Sequence, residues 1–211
     1  MKKYKLTEET KVIRGAKIHR IQALRDFCDV KAGDLGGWIE HEDNLSQDGV
    51  AWVSENAMIS GNAEVSGNAE VSGNAEASGV ARVSGNARVS GNAWVFGNAM
   101  ISGNARVLGS AMISGNARVS GNARVSGYAW VSENAMISEN ARVSGNARVF
   151  VNAMISRNAW VFGNAWVSGN AWVSENARVS GYAWVFGYAW VLGNAEVLGN
   201  AEVSGSQNIA K

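Results

Sequence analysis

The chain has 211 residues, 25 of them glycine and none proline, and its charges nearly cancel at a formal +1. That balance gives no global pull toward nucleic acid or a membrane surface, so neither is expected as a partner. A composition this narrow excludes an ordinary globular enzyme and points to a repeat.

Residues 1–37 do not follow the repeat and read as a β-rich cap. Tyr4–Leu6, Lys11–Ile13 and Ile18–Ile21 read as short strands, with Arg14-Gly15 as a hairpin turn. Cys28 is the single cysteine, so intramolecular disulfides and paired-cysteine metal sites are excluded. No leader or membrane span is legible, and a cytoplasmic setting is expected. Gly33–Gly37 reads as a tight loop; it lacks the Lys-Ser/Thr of a phosphate-binding loop. Residues 38–52 read as an irregular first coil. Leu45 follows Ile39 by six residues but precedes Val53 by eight, which predicts a two-residue bulge. Covering the first open sheet edge is the simplest role for the cap.

Residues 53–211 repeat every six: small, variable, Val or Ile, Ser, Gly, Asn. The aliphatic position recurs 27 times from Val53 to Ile209 without insertion, and only Ala77 is neither Val nor Ile. Six is too short for a helical period but suits a two-faced strand plus a corner. Alternation turns Ala and Val inward and the variable residue and Ser outward. Gly-Asn makes the corner, both types tolerating left-handed backbone. Three sides close a triangle of 18 residues, so 27 positions give nine regular coils. Stacked at a strand spacing of about 4.8 Å they reach roughly 43 Å. Corner Asn residues are expected to form amide ladders between coils.

This motif is similar to the hexapeptide repeat of the left-handed β-helix superfamily, which implies an all-β, left-handed parallel β-helix. The superfamily includes many acyltransferases, although fold does not settle function. The N-terminal segment resembles the start of bacterial and prophage YdcK-type proteins in Met1-Lys2-Lys3-Tyr4, Gly36-Gly37-Trp38-Ile39 and Leu45-Ser46-Gln47-Asp48-Gly49. That resemblance implies a bacterial or phage origin and carries over no catalytic residue.

A hexapeptide acyltransferase resembles its relatives in using a histidine base and an extruded loop. The only histidines are His19 and His41, both in or beside the cap, and the repeats hold no His, Asp or Cys. No catalytic residue, metal site or cofactor is therefore expected. An ice-binding array is excluded by the threonines, which stop at Thr7 and Thr10.

Information lies at the variable position, where residues 18 apart share a side. Three outward columns follow, beginning at Trp52, Met58 and Glu64, and eight of nine tryptophans are expected to point outward. Trp94, Trp130, Trp160, Trp166, Trp172, Trp184 and Trp190 are joined by Phe96, Phe150, Phe162, Phe186 and Leu192, and by corner residues Tyr182 and Tyr188. Contiguous apolar surface of this kind predicts an interface, here a homo-oligomer, against the simpler reading of packing along a sheet face. Arg88, Arg106, Arg124 and Arg142 occupy four successive rungs of the first column. They read as a solvated face, or as an anion strip for a small ligand such as a nucleotide signal. The nearly bare last coil is expected to meet its twin or another subunit's aromatic face. The leading expectation is a non-enzymatic assembly solenoid. A nucleotide-binding protein is the alternative, and an unusual acyltransferase comes third.

Overall fold

The computed structural model describes residues 1–211. It is an all-β parallel solenoid with three sheet faces and a single 3₁₀ turn at Glu42–Asn44. From Trp52 onward a two- or three-residue strand recurs every six residues, and each pairs in parallel with the strand 18 residues on. The columns beginning at Trp52, Met58 and Glu64 are the first, second and third faces. Strands of two residues persist because each sits in a ladder: Trp130 N–H donates to Ala147 O and Trp166 N–H to Ala183 O, both at 2.9 Å.

The interior is the column that the alternation predicts. From Ala87 to Val179 every inward Ala, Val and Ile is fully buried. The corners divide labour more sharply than the sequence suggests. Left-handed backbone belongs to the Gly slot alone; Gly103, at φ 67°, is typical, and a Cβ there would meet the Gly121 backbone at 3.0 Å. Six other residues take that slot, Glu55, Glu133, Glu139, Val151, Arg157 and Glu175, with φ from 56° to 66°. Corner Asn is there for its side chain. Asn68, Asn86, Asn104, Asn122, Asn140, Asn158, Asn176 and Asn194 form one unbroken ladder of amide hydrogen bonds.

The cap begins with β1 (Tyr4–Ile13) and β2 (Ala16–Ala23), an antiparallel hairpin turning at Arg14-Gly15, where both φ values are positive. The break expected between Leu6 and Lys11 is a register irregularity inside one strand. β3 (Leu35–Ile39) pairs antiparallel with β2 and parallel with the strand at Met58-Ile59, so the hairpin extends the second face to 12 strands. Gly36 and Gly37 therefore lie in a strand and not in a loop. Their lack of a side chain is needed for close approach: a Cβ at Gly36 would meet Ile21, Trp52 and Val53 O at 2.6 Å. The first coil carries the two extra residues, because Ile39 pairs with Ile59 and Leu45 with Val65, whereas Trp52 pairs with Glu70.

Buried polar groups lock the cap down. Lys3 Nζ donates to Ala51 O at 2.8 Å, and Asn44 Nδ2 donates to Gly61 O and Ala63 O. The Tyr4 hydroxyl lies 2.8 Å from Glu42 O and 2.7 Å from Leu45 O, and its one proton serves either. Burial, helped by Arg25 and opposed by Asp48, holds the Lys3 ammonium down to about 8 from its ordinary 10.5. The unfolded chain keeps that proton up to 10.5, so stability rises with pH above about 8. Lys11, lowered by burial and by Arg20, adds in the same sense. Tyr4, raised by burial and then by Glu42 and Asp43, opposes both once pH passes its ordinary 10.0. Thermal denaturation followed across pH 8 to 10 is expected to show rising stability, and Lys3→Met to diminish the rise.

Ladder bonds are separable from the corner itself. Asn122→Ala removes two of them and is expected to cost about 1–2 kcal/mol in urea denaturation. Asn62→Ala, at a corner with no ladder bond, is expected to stay within about 0.5 kcal/mol of the parent.

Candidate functional surface

The second face carries the densest arrangement of aromatic side chains. Coil stacking puts Trp130, Arg148, Trp166 and Trp184 on four successive rungs. The Arg148 guanidinium lies 5.7 Å from the Trp130 ring and 4.9 Å from the Trp166 ring, so one cation sits between two indoles. Trp166 stacks on Trp184 at 5.0 Å with the rings 1° from parallel. Phe150 meets the Trp166 ring edge-on at 6.0 Å. A shallow cleft of about 280 Å³ opens here between Trp130, Glu133, Arg148, Phe150 and Trp166. Trp130 and Trp184 stay 38% and 47% exposed despite these contacts, so much ring surface remains free.

Outward serines serve the rings. Trp130, Trp160 and Trp172 each donate Nε1–H to the serine 16 residues back, Ser114, Ser144 and Ser156, at 3.1–3.3 Å. At these three rungs the serine two positions after the variable residue lies under the indole of the next coil, and Ser114, Ser156 and Ser174 are buried although they point outward.

The predicted aromatic set does not form one patch. Trp94, Phe96, Trp130, Phe150, Trp166, Trp184 and Phe186 share the second face. Trp160 and Phe162 lie on the first face, 4.6 Å apart, with Arg178 over both rings. Trp172, Trp190 and Leu192 lie on the third, the two indoles edge to face at 5.5 Å. Tyr182 and Tyr188 stand exposed at the two corners flanking the second face. Trp52 departs from expectation. It occupies an outward position but is buried beneath the cap, against Phe27 at 5.3 Å and Tyr4 at 6.5 Å. Trp94 is also engaged by the cap, with Arg14 4.7 Å above its ring and paired to Glu76 at 2.7 Å. The hairpin tip thus covers the start of the second face, a contact that no sequence period encodes.

The arginine strip is ordered as read: Arg88, Arg106, Arg124 and Arg142 pair rung to rung on the first face. Arg88 is neutralised by Glu70 at 3.4 Å, while Arg106, Arg124 and Arg142 form no ion pair. No group of His, Cys, Asp and Glu is placed to hold a metal ion. His19 Nδ1 lies 3.3 Å from Thr7 O inside the hairpin, and His41 precedes the 3₁₀ turn. Neither borders the cleft of about 250 Å³ between hairpin and second face, which is lined by Arg14, Glu40, Met58 and Glu76 among others.

A family profile described as YdcK Beta solenoid repeat matches residues 81–97, 99–115, 117–133 and 141–157. These stretches are similar to YdcK β-solenoid repeats. Each covers about one coil, and the last starts one side late, as an array of six-residue units allows. The profile match therefore falls on the repeats and not on the N-terminal motifs that carry the resemblance in sequence. One curated relative, an "Uncharacterized acetyltransferase YdcK" of Escherichia coli (strain K12), is 36% identical over 67 residues. The match takes in 28% of this chain and 21% of that protein, so the chain spans about a fifth of the length of the curated relative it matches. No helix is long and apolar enough to cross a membrane.

The stacked column makes a separable energetic claim. Arg148→Met keeps the aliphatic stem and removes the cation, and is expected to cost about 0.5–1 kcal/mol in thermal or urea unfolding. Arg106→Met, with arginines on both neighbouring rungs, is expected to be neutral or slightly stabilising.

Proposed function

We propose that this solenoid, of bacterial or phage origin, is a non-catalytic assembly scaffold that binds through its second face in the cytoplasm of a bacterial cell. The observation that carries the reading is the Trp130–Arg148–Trp166–Trp184 column: flat aromatic surface, held rigid by coil stacking, and still partly exposed rung after rung. Rings already ordered lose little entropy on binding, which suits a recognition surface. The exposed thiol of Cys28 fits a reducing compartment.

A second reading follows from the relative's name. Acetyl transfer needs a base near the acceptor, and neither histidine lines the clefts at the hairpin or beside Arg148. A third reading draws on Arg106, Arg124 and Arg142, which lack carboxylate partners and suit a small anion. Incubation with acetyl-coenzyme A and a panel of amine and hydroxyl acceptors is expected to release no coenzyme A above the protein-free control. Turnover that disappears in His41→Ala would overturn the scaffold reading. In parallel, nucleotides are expected to leave the melting temperature unchanged; stabilisation lost in Arg124→Ala would favour the anion-binding reading.

A further inference from the structure

We infer that the second face pairs with the same face of a second copy of this chain, antiparallel, about a two-fold axis between the Trp166 and Trp184 rungs. The inference rests on the scaffold reading and names its partner.

Coil register fixes the order along this face as Trp130, Arg148, Trp166, Trp184, Glu202. Two charges in this column lack an ion-pair partner. Arg148 and Glu202 are both exposed and neither forms an ion pair in its own chain, whereas Glu76 lower on the face is held by Arg14. Glu133 borders the cleft beside Arg148 without pairing with it. A two-fold axis lying in the interface, across the solenoid, reverses the rung order and leaves each column opposite itself. With the axis between Trp166 and Trp184, Arg148 faces the copy's Glu202, and Glu202 faces the copy's Arg148. Two ion pairs then bracket four indoles.

The neighbouring column tests the same axis independently. Two residues beyond each variable position stand Phe150, Ser168, Phe186 and Ser204. The reversal puts Phe150 opposite the copy's Ser204 and Phe186 opposite the copy's Ser168, so large meets small at every rung. Moving the axis half a rung, onto Trp166, sets Phe150 against the copy's Phe186 and Ser168 against its twin, and separates the charges. A parallel pairing keeps equal rungs level and never brings Arg148 to Glu202. Charge and size, in two separate columns, thus select one register. Four rungs span only about 19 Å, so the dimer is small and concentration-dependent.

The test is the oligomeric state of the full chain by sedimentation equilibrium up to roughly 100 µM. The parent is expected to dimerise. Arg148→Glu and Glu202→Arg are each expected to weaken the dimer about tenfold or more, and the double variant R148E/E202R to recover most of the loss. Arg148→Glu also disturbs the indole sandwich, so Ser168→Trp gives a second route: it sets bulk against the copy's Phe186 and is expected to abolish the dimer with the circular dichroism unchanged. A monomeric parent overturns the pairing. So does a dimer that Glu202→Arg and Ser168→Trp leave intact. A monomer without acetyl-coenzyme A turnover removes the pairing and leaves the non-catalytic reading standing. Turnover removes that reading whatever the mass.

Discussion

The hydrogen bonds that tie each coil to the next govern everything else in this molecule. Outward N–H groups donate to the carbonyl 17 residues on, as Trp94 does to Ala111 and Trp172 to Ala189, both at 2.9 Å. This fixes residues 18 apart as neighbours at the inter-strand spacing, about 4.8 Å. A carboxamide, an indole and a guanidinium all reach their twins at that distance. One backbone constraint therefore yields the Asn ladder, the Trp166–Trp184 stack at 5.0 Å and the unpaired arginine row.

The same geometry has opposite consequences for different residues. Arginine above arginine is repulsive unless water or an anion intervenes, as along Arg106, Arg124 and Arg142. Arginine between two indoles is attractive, as at Arg148. What matters on a face is the order of residue types along the column, and composition alone is silent on it. The interior carries no such information, because Val and Ala repeat there almost without change.

The cap obeys different physics. Several of its polar groups are buried singly and satisfied by backbone carbonyls, as with Lys3 on Ala51 and Asn44 on Gly61 and Ala63. Such contacts are specific where the ladders are repetitive, and they tie the cap to the first coils in one register. Trp38 belongs to this region too: it is buried, flanked by Lys11 at 4.2 Å and Arg20 at 5.3 Å, and its Nε1 has no hydrogen-bond partner.

The solenoid, its 18-residue coil, the three columns and the bulged first coil were legible in the sequence, because a strict period leaves one way to alternate inward and outward residues. The Asn ladders were legible for the same reason. The contacts of the aperiodic residues were not. That Gly36 and Gly37 form a strand, that Trp52 is buried, and that Arg14 reaches Trp94 and Glu76 all depend on how the hairpin folds back over the first coils. A period assigns each tryptophan to a face, but only side-chain packing decides whether its ring lies under the cap, over a serine or against another ring. Periodicity fixes which residues are neighbours along a column; the angle and exposure of each ring follow from three-dimensional contacts that no spacing encodes.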